Sequence, residues 1–429
     1  MMKNHITLLT SIFLCLLTGV SLNAKEKNRD STTIFFGIER EEVLEKLQNM
    51  PNIEVGKGIT FRSKNDLYEM TLKFRMQNML GVYFDNNFKY TNMEAQVKRL
   101  RLRLDGYIFS PKFVYSIQLG FTGYDAKLTP NGSMNIVRDA IVYFKPNSSW
   151  NIGFGQTKIK TNRARINSSS ALQFVDRSIV NSEFGGDRDF GFFAEYHYGD
   201  YDSFALATLA SVTMGEGRNW GKSDVNGLAY TGRLELFPFG RLHSKGEYVE
   251  GDTYYEENVK LMIGGGYSFN HNARLNQGFK GDPLPDGHTR NIGSYYADII
   301  LKYRGFAFNA DFMGRHAANP GPLASEDFFI YTGCGINAQA SYLFDKKWEL
   351  AVRNSTLLPK QSSEGYDTSH FTGYDMWNQS TIGVTRYIIG HSLKVQLDVS
   401  YNYMTNSAGA SLIPAYDRWG FRLQLELGL

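Results

Sequence analysis

The feature that most narrows the folds open to this chain is a side-chain period of two, kept over segment after segment. In the last segment Phe421, Leu423, Leu425, Leu427 and Leu429 alternate with Arg422, Gln424, Glu426 and Gly428. Leu393, Val395, Leu397 and Val399 alternate in the same way with Lys394, Gln396, Asp398 and Ser400. So do Phe113, Tyr115, Ile117, Leu119 and Phe121 with Val114, Ser116, Gln118 and Gly120. Alternation of this kind marks β-strands with one apolar face. A half-buried sheet of a soluble protein shows the same period, so alternation alone leaves two architectures open.

The connections separate them. The pattern predicts about 16 strands, near the size of water-filled barrels. They are expected over 70–84, 97–109, 113–124, 136–146, 150–159, 187–199, 201–212, 228–240, 254–270, 292–305, 306–316, 331–345, 348–359, 376–391, 392–404 and 417–429. After every second strand the link is tight, as at Ser110-Pro111-Lys112, Gly199-Asp200-Tyr201, Arg304-Gly305 and Gly390-His391-Ser392. The exception follows Phe237-Pro238-Phe239-Gly240, where the link runs on to residue 253. The intervening links are long and rich in Gly, Asn, Ser and Pro. A soluble sandwich has no reason to sort loops by length onto one end, whereas a transmembrane barrel has short turns on one side and long loops on the other. The prolines all fall outside strand interiors or at strand ends. Inside a strand each would lose a ladder hydrogen bond that hydrocarbon cannot replace. The expected fold is therefore all-β, a transmembrane antiparallel up-and-down β-barrel with the final segment as its closing strand.

The N-terminus reads differently. Lys3 precedes an apolar run from Ile6 to Val20, then Ser21-Leu22-Asn23-Ala24 with a small residue at the expected cut. That order predicts a cleaved secretory signal over 1–24. Cleavage removes Cys15 and leaves Cys334 alone, so no intramolecular disulfide is expected. It leaves 45 basic and 43 acidic residues, a balance that gives no bulk attraction to nucleic acid. A leader over 25–56 follows. Val43, Leu44, Leu47 and Met50 have helical spacing and suggest a short helix ending before Pro51, with a solvated linker as the alternative. The barrel is expected over 57–429, in outer-membrane lipid.

The charges inside such a barrel are the candidates for function. If Leu100, Leu102 and Leu104 face lipid, then Arg99, Arg101 and Arg103 face the lumen; Lys73 and Arg75 do so on the preceding strand. Charge on the lipid face costs about 2–4 kcal/mol per Arg or Lys near mid-bilayer. Two neighbouring strands thus form a basic wall, and rings of Arg and Lys favour anions. The bland alternative is a balanced lumen, with these cations paired to Asp105, Glu235, Asp298, Asp398 or Glu426. The longest link, Lys160 to Gly186, carries Arg163, Arg165 and Arg177. Folded inward it would narrow the pore and place those cations at the constriction; folded outward it would be a lid.

Several segments resemble the phosphate-selective porin O and P family. They are Gly155-Gln156-Thr157-Lys158, Ser168-Ser169-Ser170, Gln173-Phe174-Val175-Asp176-Arg177-Ser178-Ile179-Val180, Lys73-Phe74-Arg75-Met76-Gln77 and Arg188-Asp189-Phe190-Gly191. The resemblance implies a homotrimeric outer-membrane channel in which basic side chains guide anions such as phosphate and an inward third loop narrows the pore. The chain departs from the family at Ile159-Lys160-Thr161-Asn162, where many relatives carry a Pro-Phe pair. Passive passage of small polar solutes, without cofactor or chemistry, is the function this implies. A plugged or secretion-associated barrel is the alternative, and residues 25–56 are few for a large plug. A barrel hydrolase would need a nucleophile, His and acid at one rim, and the histidines are scattered. Asp282, Asp286 and His288 share one loop but give no more than a thin case for a metal.

Overall fold

The computed structural model describes residues 52–125, 127–128, 134–219, 226–321, 329–360, 374–405 and 418–429. Sixteen of its strands form one closed antiparallel barrel. They are β1 Tyr68–Phe84, β2 Tyr90–Ile108, β3 Ser110–Gly120, β4 Val137–Phe144, β5 Trp150–Lys158, β6 Arg188–Tyr198, β7 Ala205–Thr213 and β8 Ala229–Phe237. Then follow β9 Lys260–Ala273, β10 Arg290–Tyr303, β11 Phe306–Ala317, β12 Gly333–Phe344, β13 Trp348–Pro359, β14 Met376–Ile389, β15 Leu393–Thr405 and β16 Trp419–Gly428. Each strand pairs with the next. β16 returns to β1, from Trp419 opposite Phe84 to Gly428 opposite Arg75.

Alternation decides which side each residue takes. On β8 Ala229, Thr231, Arg233 and Glu235 are buried inside, while Tyr230, Gly232 and Leu234 are exposed outside. The same sorting runs around the barrel. Leu80, Phe192, Val352, Ile382, Leu397 and Leu423 lie bare on the outer face, whereas Asp298, Lys302, Asn309, Lys394 and Gln396 are buried within. An apolar exterior around a polar interior inverts the arrangement of a water-soluble protein and matches a barrel immersed in hydrocarbon.

The structure departs from expectation at both ends of β1. The strand after it starts at Tyr90 rather than at 97, so the first link on the long-loop end is a tight hairpin. Asp85 builds that turn, accepting hydrogen bonds from the amides of Asn87 and Lys89. Along that ribbon Asn92, Glu94 and Gln96 alternate with Met93, Ala95 and Val97, and both faces are largely exposed. At the other end, strands Asn52–Glu54 and Gly58–Arg62 form a hairpin. It pairs with β1 from Ile59 opposite Leu72 to Arg62 opposite Glu69, along the edge that β16 leaves free. This hairpin straddles the expected leader boundary. The expected signal and leader helix lie outside the described residues.

Candidate functional site: a cation-lined lumen

The expected basic wall forms. Lys73 lies opposite Arg103, Arg75 opposite Arg101 and Gln77 opposite Arg99, all on the inner face of β1 and β2. Two cations that strict alternation would have turned to lipid join it. The β1–β2 register slips so that Asn78 faces Val97, leaving Lys98 as an extra residue, and Lys98 and Arg99 are both buried inside. The β3–β4 register slips at Leu119 opposite Val137, and Arg138 turns inward beside Asp139. A bulge inserts one residue and re-aims its side chain, here sparing each cation the cost of facing hydrocarbon. Sequence reasoning missed both. The signal was the pair of adjacent polar residues, Lys98-Arg99 and Arg138-Asp139, which breaks the period of two.

The link between β5 and β6, residues 159–187, folds into the lumen. It carries two short helices, α1 Arg163–Ile166 and α2 Ile179–Phe184. Barrel side chains grip its backbone. Lys394 donates to the carbonyls of Ser170 (2.7 Å) and Leu172 (2.9 Å), and Asp398 accepts from the Val175 amide at 3.0 Å. Arg75 donates to the hydroxyls of Ser168 and Ser169 at 3.0 and 2.7 Å. The α2 face of Ile179, Val180 and Phe184 packs on Tyr296, Met313, Tyr331 and Leu357. Two inner-wall glycines of β9 make the close approach possible. A Cβ at Gly266 would lie 2.8 Å from the Thr161 carbonyl oxygen, and one at Gly264 would lie 2.3 Å from the Arg233 guanidinium.

A second segment enters from the other end. The link after β8, the exception among the tight turns, folds back into the barrel instead of crossing its mouth. Tyr248 donates to Glu235 at 2.7 Å, Lys302 to the Gly251 carbonyl at 2.6 Å and Asn309 to the Glu250 carbonyl at 3.1 Å. It meets the tip of the 159–187 loop. The Glu250 carboxylate accepts from the Gln173 amide at 2.9 Å, and the Glu250 amide donates to the Ala171 carbonyl at 3.1 Å. Burial, with Glu235 nearby, pushes the Glu247 carboxyl in this link up to about 7. The two inward segments pack largely against β8–β15, and the space they leave runs beside β1–β6 and, at the long-loop end, past β13, β14 and β16.

That space is a chain of cavities. The middle one, about 210 Å³, is lined by Arg101, Arg103, Arg138, Lys158, Lys160, Arg165, Arg177 and Arg188, with Asp139 as its one lining carboxylate. A cavity of about 370 Å³ toward the short-turn end shares Arg101, Arg103, Gln118 and Ser168 with it. One of about 450 Å³ toward the long-loop end shares Arg165 and Arg177. Most of the cations are matched. Asp125 holds Arg101 and Arg138, Asp187 holds Arg165 and Arg188, Glu195 holds Lys160, and Asp105 holds Arg103. Asp176 accepts Lys98 and Arg422; burial would raise its carboxyl, but these cations hold it down at about 2. Lys158 and Arg177 differ. Lys158 donates to the carbonyls of Ile166 and Asn167, Arg177 to those of Ala164 and Asn167, and neither has a carboxylate within ion-pair distance among the described residues.

Of the eight basic residues singled out from sequence, Lys73, Arg75, Arg99, Arg101, Arg103, Arg165 and Arg177 line these cavities. Arg163 does not. The α1 turn aims it at the barrel wall, where it is fully buried with Asp311 at 3.6 Å. The expected counter-charges were partly right. Asp105 faces Lys73 and Arg103, and Glu426 lies 3.9 Å from Arg75. Glu235 and Asp298 are instead both taken by Arg233, and Asp398 by Arg422. The main counter-charges, Asp125, Asp176 and Asp187, stand on long links whose inward course periodicity does not reveal.

Residues 70–275 match the sequence profile of the phosphate-selective porin O and P family. No curated protein matches the chain. Among solved structures it is similar to the outer membrane channel DcaP of Acinetobacter baumannii, at 13% identity over 87% of this chain and 100% of that one, with a TM-score of 0.53. It is similar to OmpT, an outer membrane protein of Vibrio cholerae, at 12% identity over 85% and 99% of the two chains, TM-score 0.51. An anion-selective porin from Comamonas acidovorans matches at 10% identity over 84% and 100%, TM-score 0.50. Identities this low speak for the fold. Taken with the family match and the polar, cation-lined lumen, they make this protein a bacterial outer-membrane porin that carries the phosphate-selective porin O and P signature over residues 70–275.

Proposed function

We propose that the channel passes small anions, phosphate among them, down their own gradient. The observation that carries this reading is the middle cavity, where eight basic side chains meet one lining carboxylate, and Lys158 and Arg177 have no carboxylate within ion-pair distance among the described residues. Guanidinium and ammonium groups at a water-filled constriction raise the local concentration of anions and repel cations. The family description and the selectivity named for the Comamonas acidovorans porin agree with it. The test is the reversal potential of single channels in a planar bilayer under a salt gradient. An anion-directed potential that falls when Arg99, Arg101 and Arg103 are all replaced by Gln supports the reading. A wild-type potential without anion bias ends it.

A homotrimer belongs to the same proposal, as do the export signal over 1–24 and the leader over 25–56. Asn354, Thr356, Asn378 and Ser380 face outward on β13 and β14, hydrogen-bonded to one another at 2.8–3.1 Å. Four polar side chains on an otherwise apolar outer face suit contact with a second copy better than contact with lipid. Chemical crosslinking in detergent, compared with a variant carrying Leu at Asn354 and Asn378, checks that contact.

A further inference from the structure

The cavity at the extracellular end of the pore is not built for a bare inorganic anion. Five cations line it, Arg99, Arg165, Arg177, Lys280 and Arg422, against two carboxylates, Asp176 and Glu183, of which Asp176 pairs with Arg99 and Arg422. The same lining holds an apolar, partly aromatic group: Ile179, Leu357, Tyr374 and Trp377. The two rings sit edge to face, centroids 5.9 Å apart, over the cluster that α2 makes with Tyr331, Met313 and Leu357. Their polar atoms are engaged elsewhere. The Trp377 indole nitrogen donates to Asn402 at 3.0 Å, and the Tyr374 hydroxyl donates to that of Tyr331 at 3.3 Å. What these residues present to the cavity is therefore ring surface. Arg177 and Lys280 donate to backbone carbonyls, and neither has a carboxylate within ion-pair distance among the described residues.

Apolar surface held open toward a water-filled vestibule is stabilised when a solute covers it, and ligand sites typically combine an apolar wall with a few placed polar groups. From this mixed lining we infer that the vestibule is a binding site for organic anions carrying an aromatic ring, aryl phosphates or aryl carboxylates. The ring rests on Trp377 and Tyr374, and the acidic group faces Arg177 and Lys280. The inference rests on the anion-channel reading and adds a solute class to it. Arg165 and Arg177 also line the constriction below, so a solute bound here by its acid is already at the entrance of the narrow path.

The experiment compares phenyl phosphate with methyl phosphate, which carry the same charge and differ in the ring. Each is added on the extracellular side of single channels of the full protein, and the concentration that halves the chloride current is read. Phenyl phosphate is expected to block at an about three- to tenfold lower concentration, the effect of one aromatic contact. Trp377→Gln and, separately, Tyr374→Ser should bring the ratio toward one and leave the methyl phosphate block unchanged. The second variant guards against a folding defect in the first; both are checked for the heat-resistant folded band. Equal block by the two esters overturns the inference and leaves anion selectivity standing. An unchanged ratio in both folded variants also overturns it. Failure of either ester to block, in a channel without anion bias, overturns the inference and the function it rests on together.

Discussion

A cation with a carboxylate partner and a cation without one contribute differently to this pore. Arg101 and Asp125 form a buried pair, so removing both leaves the net charge of the constriction unchanged. Lys158 and Arg177 are bound by carbonyls of the inward loop and have no carboxylate within ion-pair distance among the described residues. The double variant Arg101→Gln/Asp125→Asn is therefore expected to hold the wild-type reversal potential. Lys158→Gln/Arg177→Gln should move it toward cations, while the amides still offer a donor to the same carbonyls. Reversal potentials under one salt gradient decide the matter, and equal shifts in the two doubles would show that pairing is irrelevant. Periodicity placed Lys73, Arg75, Arg99, Arg101 and Arg103 on the inner wall because inward and outward positions alternate in a strand, whereas Arg165 and Arg177 are expected on the path only from the length of their link. Link length misplaced Arg163, which the helical turn aims at the wall, and alternation failed for Lys98 and Arg138, where a bulge resets it.

At the scale of elements, the inward link between β8 and β9 sets how much of the lumen stays open. Its Glu247 is buried near Glu235, Arg241 and Lys302, with its carboxyl raised from the usual 4.5 to about 7. A carboxyl raised on folding makes the packed link most stable below its unfolded value; that stability declines as pH climbs from there through the folded value. The link should accordingly loosen between about pH 4.5 and 7, seen as more frequent openings to a larger conductance at pH 8 than at pH 4.5. Glu247→Gln should flatten that dependence, and gating equally insensitive to pH in the wild-type channel would contradict the assignment. Replacing residues 242–257 by a tight turn should raise single-channel conductance and weaken anion bias, since the path would no longer be confined to the basic wall. An unaltered conductance would mean that the link does not limit the pore. The sequence marked this link only as too long for a turn. Its inward course depends on Tyr248, Gly251 and Glu250 finding partners on β8, β10 and the 159–187 loop, contacts between residues far apart in the chain.

Taken whole, the barrel is held in the bilayer by its outer face. Leu425 stands exposed on closing strand β16, opposite Asn78 of β1 and Val395 of β15. Leu425→Arg should destabilise the folded barrel by about 2–4 kcal/mol if it sits near mid-bilayer, measurable as a lower urea midpoint in lipid vesicles. No loss would place that position outside the hydrocarbon. The sequence by itself determined the strand count, the closure, the side that most strand residues take and most of the cations on the inner wall. All of these follow from a local rule, the alternation of side chains along a paired strand, read together with the lengths of the links. Only the tertiary structure decided that two links turn inward, which half of the lumen they fill, and which cations are cancelled by Asp125, Asp176 and Asp187. Those outcomes rest on hydrogen bonds and ion pairs between loops and distant strands, and no short-range pattern in a sequence encodes such partners.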